Sequence, residues 1–321
     1  VTAPARFDVF NGDADGICAL HQLRLAEPVE STLVTGTKRD IALVARVDAA
    51  AGDEVTVLDV SLDRNRAALE RLLARGARVR WFDHHFPGAI PSHPLLEAHI
   101  ETAPEVCTSI LVDRHLGGRH RAWAVVAAFG DNLADTAETL AAPLGLDGPR
   151  LERLRALGES MNYNAYGETE ADLIVPPAEL YRLLRPYADP LEFAAREPAA
   201  ARLDDGRRAD LAAAAAVPAY RASKHSTVYV LPDAPWARRV IGAFANRLAN
   251  ADATRAQAVA VPNSRGGFTV SVRAPRDARH SADALCRAYP TGGGREGAAG
   301  IDNLPPDLLD EFVARLEAMY V

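Results

Sequence analysis

Carboxylates and imidazoles gather at three points in the first hundred residues. Asp13-Ala14-Asp15-Gly16 follows the apolar run Phe7-Asp8-Val9-Phe10, Asp59 follows Val55-Thr56-Val57-Leu58, and Asp83-His84-His85 follows Val79-Arg80-Trp81-Phe82. Each group stands where a buried strand should finish and its loop begin. In an open parallel sheet such carboxyl ends line one crevice, where ligands bind. Hard oxygen donors with imidazole suit Mn²⁺ or another divalent ion better than a thiolate-seeking one.

Each motif also has a plainer reading. Asp13 and Asp15 could both face a ligand, with Gly16 letting the backbone come close, or they could cap the helix that starts near Ile17. Asp59 alone reads as a cap or a solvated loop residue, and gains weight only as a second acidic strand end. Adjacent histidines directly after Trp81-Phe82 are harder to explain as a solvated loop, since His can serve as both ligand and proton donor. Asp131, after Ala127-Ala128-Phe129-Gly130, is a carboxylate leaving an apolar helix, or a simple helix end. The polar and aromatic cluster Asn162-Tyr163-Asn164-Ala165-Tyr166-Gly167 either lines a cleft or closes a loop.

Near the C-terminus, Gly292-Gly293-Gly294-Arg295 runs on to Gly297-Ala298-Ala299-Gly300. Free backbone N–H groups at a helix start favour anions, and an arginine adds a bidentate fork. The segment therefore reads as a phosphate cradle or as a flexible surface loop. Arg273, just before it in Ser271-Val272-Arg273, is either a second guanidinium for the same cleft or a solvated strand end.

These residues need elements to carry them. Residues 6–10, 31–36, 54–60 and 77–82 read as short strands, and 17–25 and 65–74 as helices between them, the latter stopping at Gly76. The alternation predicts right-handed crossovers and a parallel sheet with helices on both faces. From about residue 105 the texture turns helical, with helices expected over 108–116, 123–129, 135–144 and 149–157. The Ala-rich, Pro-punctuated stretch 170–224 reads as a helical connector. A second α/β segment follows, with strands at 228–231, 256–261 and 267–273, helices at 236–248 and 281–288, and a closing amphipathic helix at 306–319.

The chain has 321 residues, enough for two domains, with 48% hydrophobic and 25% charged content. Its 36 Lys and Arg stand against 43 Asp and Glu, a net charge of −7. Long nucleic acid needs a basic stripe, so a long sequence-independent track is disfavoured while a short phosphate substrate is not. Cys18, Cys107 and Cys286 are scattered in apolar settings and read as buried thiols of a reducing cytoplasm. No run reaches membrane-spanning length and no basic-then-apolar leader opens the chain.

Taken together and in this order, the motifs resemble the DHH phosphoesterase superfamily: RecJ-type exonucleases, nanoRNases and nucleotide-bisphosphate phosphatases, cyclic-dinucleotide phosphodiesterases, exopolyphosphatases and manganese inorganic pyrophosphatases. Asp13-x-Asp15-Gly16, Asp59, Asp83-His84-His85 and Gly130-Asp131 match the four metal-site motifs. Residues 292–300 look like the glycine motif of the C-terminal substrate domain. The resemblance implies an α/β fold with a metal-binding domain over 1–165, a connector over 166–224 and a smaller substrate domain over 225–321 across a cleft. It implies two Mn²⁺ ions, with Mg²⁺ or Co²⁺ as substitutes. Asp13 and Asp59 would hold one ion; Asp15, Asp59, His84 and Asp131 would hold the other. His85 would donate a proton or hydrogen bond to the phosphate, and Asp83 would orient it. Arg273, Gly292, Gly293, Gly294 and Arg295 would bind substrate, with Asn11 and Asn162 as further candidates.

Two departures stand out. Relatives often place a histidine two or four residues before the first aspartate, where this chain has Asn11 and Val9, and a histidine after the third glycine, where it has Arg295. The expected activity is Mn²⁺-dependent hydrolysis of small nucleotides or short oligonucleotides. A RecJ-like exonuclease or exopolyphosphatase is the alternative, and a non-catalytic nucleotide sensor is the alternative of another class. The implied partner is a small phosphate-containing substrate, and the reading allows a homodimer.

Overall fold

A computed structural model describes residues 4–320. The chain divides into two compact units, Val1–Asp205 and Gly206–Val321.

The first unit is built on a five-stranded, wholly parallel sheet of order β2-β1-β3-β4-β5. Its strands are β1 (Arg6–Phe10), β2 (Thr32–Val34), β3 (Glu54–Leu58), β4 (Arg78–Asp83) and β5 (Leu96–Ile100). Helix α1 (Ala14–Ala26) connects β1 to β2, and α2 (Arg66–Ala74) connects β3 to β4. Side chains alternate across a strand, so the odd residues Val9, Val55, Val57, Val79 and Trp81 bury against α2. The even residues Phe10, Leu58 and Phe82 bury against α1 and the helices that follow. Both faces being covered explains why the strands read as near-continuous apolar runs.

Those helices are α3 (Thr108–His115), α4 (Arg121–Gly130), α5 (Ala134–Ala141) and α6 (Gly148–Asn164), then α7 (Pro177–Leu184), α8 (Pro190–Arg196) and α9 (Pro198–Ala216). Leu180, Leu184, Phe193 and Leu203 are buried in one core with Ile17, Trp123 and Met161. The stretch expected to be a connector over 166–224 therefore packs, as far as Asp205, into the first unit. Apolar spacing in an Ala-rich helix reveals that a face is buried, but not against what.

Strand β5 is not marked by the sequence pattern. It is an edge strand with exposed or half-buried residues and a polar sequence, Leu-Glu-Ala-His-Ile. Edge strands lack the two-sided burial that produces an apolar run.

The second unit carries β6 (Arg221–Ala222), β7 (Ser226–Val230), α10 (Pro235–Ala251), β8 (Ala256–Pro262), β9 (Phe268–Arg273), α11 (Ala282–Cys286), β10 (Gly292–Gly294), β11 (Ala298–Leu304) and α12 (Leu309–Met319). Its mixed sheet has the order β10-β11-β9-β8-β7-β6, with β7 and β8 parallel. Val228, Ala258, Val270 and Val272 bury against Phe312, Val313 and Leu316 of α12.

Two glycines let helices of the first unit approach closely. A Cβ on Gly158 of α6 would lie 2.1 Å from the carbonyl oxygen of Val126 in α4. One on Gly130 would lie 2.5 Å from the Cβ of Ala14. Gly158→Ala must push α6 off α4. It is expected to lower stability by about 1–3 kcal/mol, as overpacking of a filled core does. Urea unfolding measures this, and an unchanged midpoint would show that the two helices do not depend on the contact.

Candidate metal centre

In the strand order β2-β1-β3, the chain leaves β1 toward one edge and returns on the other side at β3. The carboxyl ends of β1 and β3 thus flank a topological switch point, the place where such sheets open a crevice. A cavity of about 590 Å³ opens there, lined by Asn11, Asp13, Lys38, Asp59, His84, His85 and Asp131, and at its mouth by Ile41, Arg64 and Phe86.

Asp13 caps α1, its Oδ1 accepting from the backbone N–H of Asp15 at 3.0 Å and of Gly16 at 3.1 Å. The cap and the cavity-lining positions are therefore the same residue. Its Oδ2 accepts from Lys38 Nζ at 2.6 Å. Burial alone would raise this carboxyl, but Lys38 and the Gly16 N–H outweigh it and hold it below its ordinary range. Gly16 has a packing reason rather than a ligand-approach one: a Cβ there would lie 2.2 Å from the carbonyl oxygen of Asn11. Asn11 turns its Oδ1 to the Asp13 N–H at 3.3 Å.

Asp15 is fully buried, and its two oxygens accept from the N–H groups of Ser109 and Thr108, each at 2.7 Å. These are orphan donors of the first turn of α3, so the carboxylate is held by a helix N-terminus. Asp15, Asp131 and the Cys107 sulfur lie within 4.8 Å of one another. Burial, then the charges of Asp15 and Asp131, push the Cys107 thiol well up, which keeps it protonated and a poor ligand.

Asp59 adopts a left-handed backbone, φ +58°. Non-glycine residues pay for this conformation unless surroundings enforce it, and such positions cluster at functional sites. Here the Asp59 N–H donates to the Phe82 carbonyl at 3.0 Å, fixing the turn. Burial first, then Asp13, Asp15 and Asp131, drive its carboxyl well above the usual range. Thr108 Oγ1 donates to its Oδ1 at 3.3 Å.

Asp131 follows the last turn of α4, where the helix dipole is negative and a carboxylate is disfavoured. Burial, then Asp15 and Asp13, push it up to about 7. His84 donates from Nδ1 to the Val106 carbonyl at 3.0 Å and turns Nε2 to the crevice; burial would lower this imidazole, but the charges of Asp15, Asp131 and Asp83 outweigh it and raise it. Its Nε2 lies 3.4 Å from Asp59 Oδ1 and 3.8 Å from Asp131 Oδ2. His85 Nδ1 meets Asp83 Oδ1 at 2.7 Å, and this bond raises the imidazole to about 9 against burial. Asp59, His84 and His85 also place ligand atoms within 4.8 Å of one another.

The donor set is buried carboxylate and imidazole with a protonated thiol beside it, and its acids repel one another. It fits a hard divalent cation such as Mn²⁺ or Mg²⁺ and not a soft ion. Lys38 was not singled out by the sequence; it lies in the loop four residues past the end of β2. Asn162 joins the site as an acceptor for Lys38 at 2.9 Å.

The distal residues belong to the second unit. The glycine run is not a helix start: Gly292–Gly294 form β10, an edge strand paired antiparallel with β11 around a turn at 295–297. A Cβ on Gly292 would lie 1.7 Å from the Cys286 carbonyl oxygen, which accounts for that glycine by packing. Arg273 pairs in register with Ala298, and Gly294 with Ala299, so Arg273, Gly294 and Arg295 share one end of the sheet. Arg273 bonds Asn246 Oδ1 at 2.7 Å and the Val272 carbonyl at 2.8 Å.

No family sequence model and no characterised protein matches the chain by sequence. Solved structures do match. Exonuclease RecJ bound to manganese aligns with a TM-score of 0.62 at 19% identity, over 98% of this chain and 89% of that one. RecJ in complex with Mn²⁺ from Thermus thermophilus aligns with a TM-score of 0.64 at 21% identity over 98% of this chain, which spans only 51% of that longer one. The pGpG-specific phosphodiesterase PggH from Vibrio cholerae aligns with a TM-score of 0.55 at 14% identity, over 98% and 99% of the two chains. Across nearly its whole length, this chain shares the fold of these RecJ and phosphodiesterase structures.

Proposed function

We propose that the chain is a Mn²⁺-dependent phosphohydrolase acting on small nucleotides or short oligonucleotides. The observation that carries this reading is the set of mutually repelling carboxylates Asp13, Asp15, Asp59 and Asp131 at one crevice, with His84 Nε2 turned toward two of them. Such a set is costly to bury unless a cation joins it. Asp59, His84, Asp131 and Asp15 would hold the metal. When bound, it would supply Lewis acidity, an activated water and neutralisation of phosphoryl charge.

The chain's own residues account for the rest. His85, with Nδ1 committed to Asp83, has Nε2 as its remaining nitrogen, and in the metal-free protein the ring, raised to about 9, keeps its proton through neutral pH. It is placed to protonate a leaving oxygen, and Asp83 fixes its ring. Lys38 and Arg64 line the cavity as cations for phosphate oxygens. Phe86 is 74% exposed and Ile41 47% exposed at the mouth. An exposed ring beside an anion site favours a nucleobase over bare polyphosphate. No described helix is long and apolar enough to cross a membrane, and the three cysteines are buried free thiols, which supports a reducing cytoplasm as the setting.

Purified protein with Mn²⁺ should hydrolyse at least one of dinucleotides, 3′,5′-bisphosphates, cyclic dinucleotides, single-stranded DNA or polyphosphate. Nucleotide binding with no turnover of any would replace the enzyme reading with a sensor. His85→Gln should lower kcat roughly 10²–10⁴-fold, the usual worth of a general acid. Phe86→Ala should raise KM for a nucleotide by roughly 5- to 100-fold, from the ~1–3 kcal/mol of base stacking, and leave polyphosphate unaffected. An equal effect on both would argue against a base platform.

In the metal-stripped protein, the His85 ring should titrate near 9 by NMR, and Asp83→Asn should bring it down toward the ordinary 6.5. Because the folded value is raised, its stabilisation is complete below about 6.5 and is lost as pH rises through about 9. A wild-type midpoint near 6.5 would remove the ready proton donor.

A further inference from the structure

Lys38 is built into the centre rather than draped over it. Its backbone N–H donates to the Ala165 carbonyl at 3.0 Å, tying the loop after β2 to the end of α6. Its Nζ then reaches three acceptors: Asp13 Oδ2 at 2.6 Å, Asn162 Oδ1 at 2.9 Å and Asp131 Oδ1 at 3.5 Å. The Tyr166 ring lies 5.7 Å from the same nitrogen. Two residues of the polar and aromatic cluster 162–167, Asn162 and Tyr166, thus hold the ammonium group, and a third, Ala165, holds the Lys38 backbone.

The consequence falls on the first of the two ions that the family resemblance implies. That ion would need Asp13, yet Asp13 Oδ1 caps α1 and Oδ2 receives Lys38. It would also lack the histidine that relatives often supply. Asn11 stands in that place, with its side-chain oxygen turned to the Asp13 N–H. The donors that Lys38 does not engage are His84 Nε2, Asp59 Oδ1 and Asp131 Oδ2, the two carboxylate oxygens lying 3.4 and 3.8 Å from that nitrogen. They gather at one position; beside it Asp15 and Asp131 meet only the Cys107 sulfur, whose raised thiol is a poor third donor.

We infer that Lys38 stands in for one of the two metal ions, so that the centre takes a single divalent cation and the ammonium supplies the other positive charge toward phosphate. The inference rests on the metal-centre reading above. Its difference from that reading is the count.

The test is metal stoichiometry. Full-length protein is stripped with a chelator, reloaded with excess Mn²⁺ and desalted. Manganese per chain is then read by elemental analysis and by anomalous scattering from Mn²⁺-soaked crystals. Wild type should hold one ion, Lys38→Met should admit a second beside Asp13, and Lys38→Arg should remain at one. Two ions in wild type, or one in a folded Lys38→Met, would overturn the substitution by ammonium while leaving the metal centre standing. No ion in wild type would overturn both. Should Lys38→Met fail to fold, Lys38→Gln carries the same expectation, and the wild-type count decides in either case.

Discussion

The constraint on which this structure turns is the burial of several carboxylates within contact of one another at the open end of a parallel sheet. Asp13, Asp15 and Asp59 are almost inaccessible to solvent, and Asp131 is nearly so. Burial and the neighbouring charges raise Asp59 and Asp131 well above the usual carboxylate range. Each compensating device in the neighbourhood answers that repulsion. The N-terminus of α3 serves Asp15, Lys38 serves Asp13 and Asp131, and the imidazoles face Asp59.

The fold concentrates these groups because of where its strand order reverses. β1 sits between β2 and β3, so the residues just beyond three neighbouring strands meet at one crevice. Helix α4 adds Asp131 from the side. It reaches far enough inward because Gly130 and Gly158 let α4, α1 and α6 approach at backbone distance. Core packing and site geometry are therefore one problem in this unit.

Much of this could be read from the sequence because two-sided burial writes itself into composition. The apolar runs at 6–10, 54–60 and 77–82 mark β1, β3 and β4, and the acidic residues following them mark the crevice. Strand β5 left no such trace, having one neighbour and polar positions. Lys38 was silent for a different reason: a lone lysine in a loop carries no local pattern, and its role arises only from Asp13, Asp131 and Asn162 converging from distant positions. The glycines at 292–294 were legible as special but not as to why. Glycine answers equally to an anion, a turn or a close backbone contact, and the Cys286 carbonyl against Gly292 is of the last kind.

Asp15 differs from its acidic neighbours in one respect. Both its oxygens hold the opening turn of α3, and its own carbonyl accepts from the Ser109 hydroxyl at 2.9 Å. The residue is a rivet between α1 and α3, whatever its part in the proposed metal centre. A descendant of this chain that bound no ion could lose Asp131 without touching these bonds, but it would still be obliged to carry Asp15. That aspartate alone would then be a poor guide to whether such a protein still works.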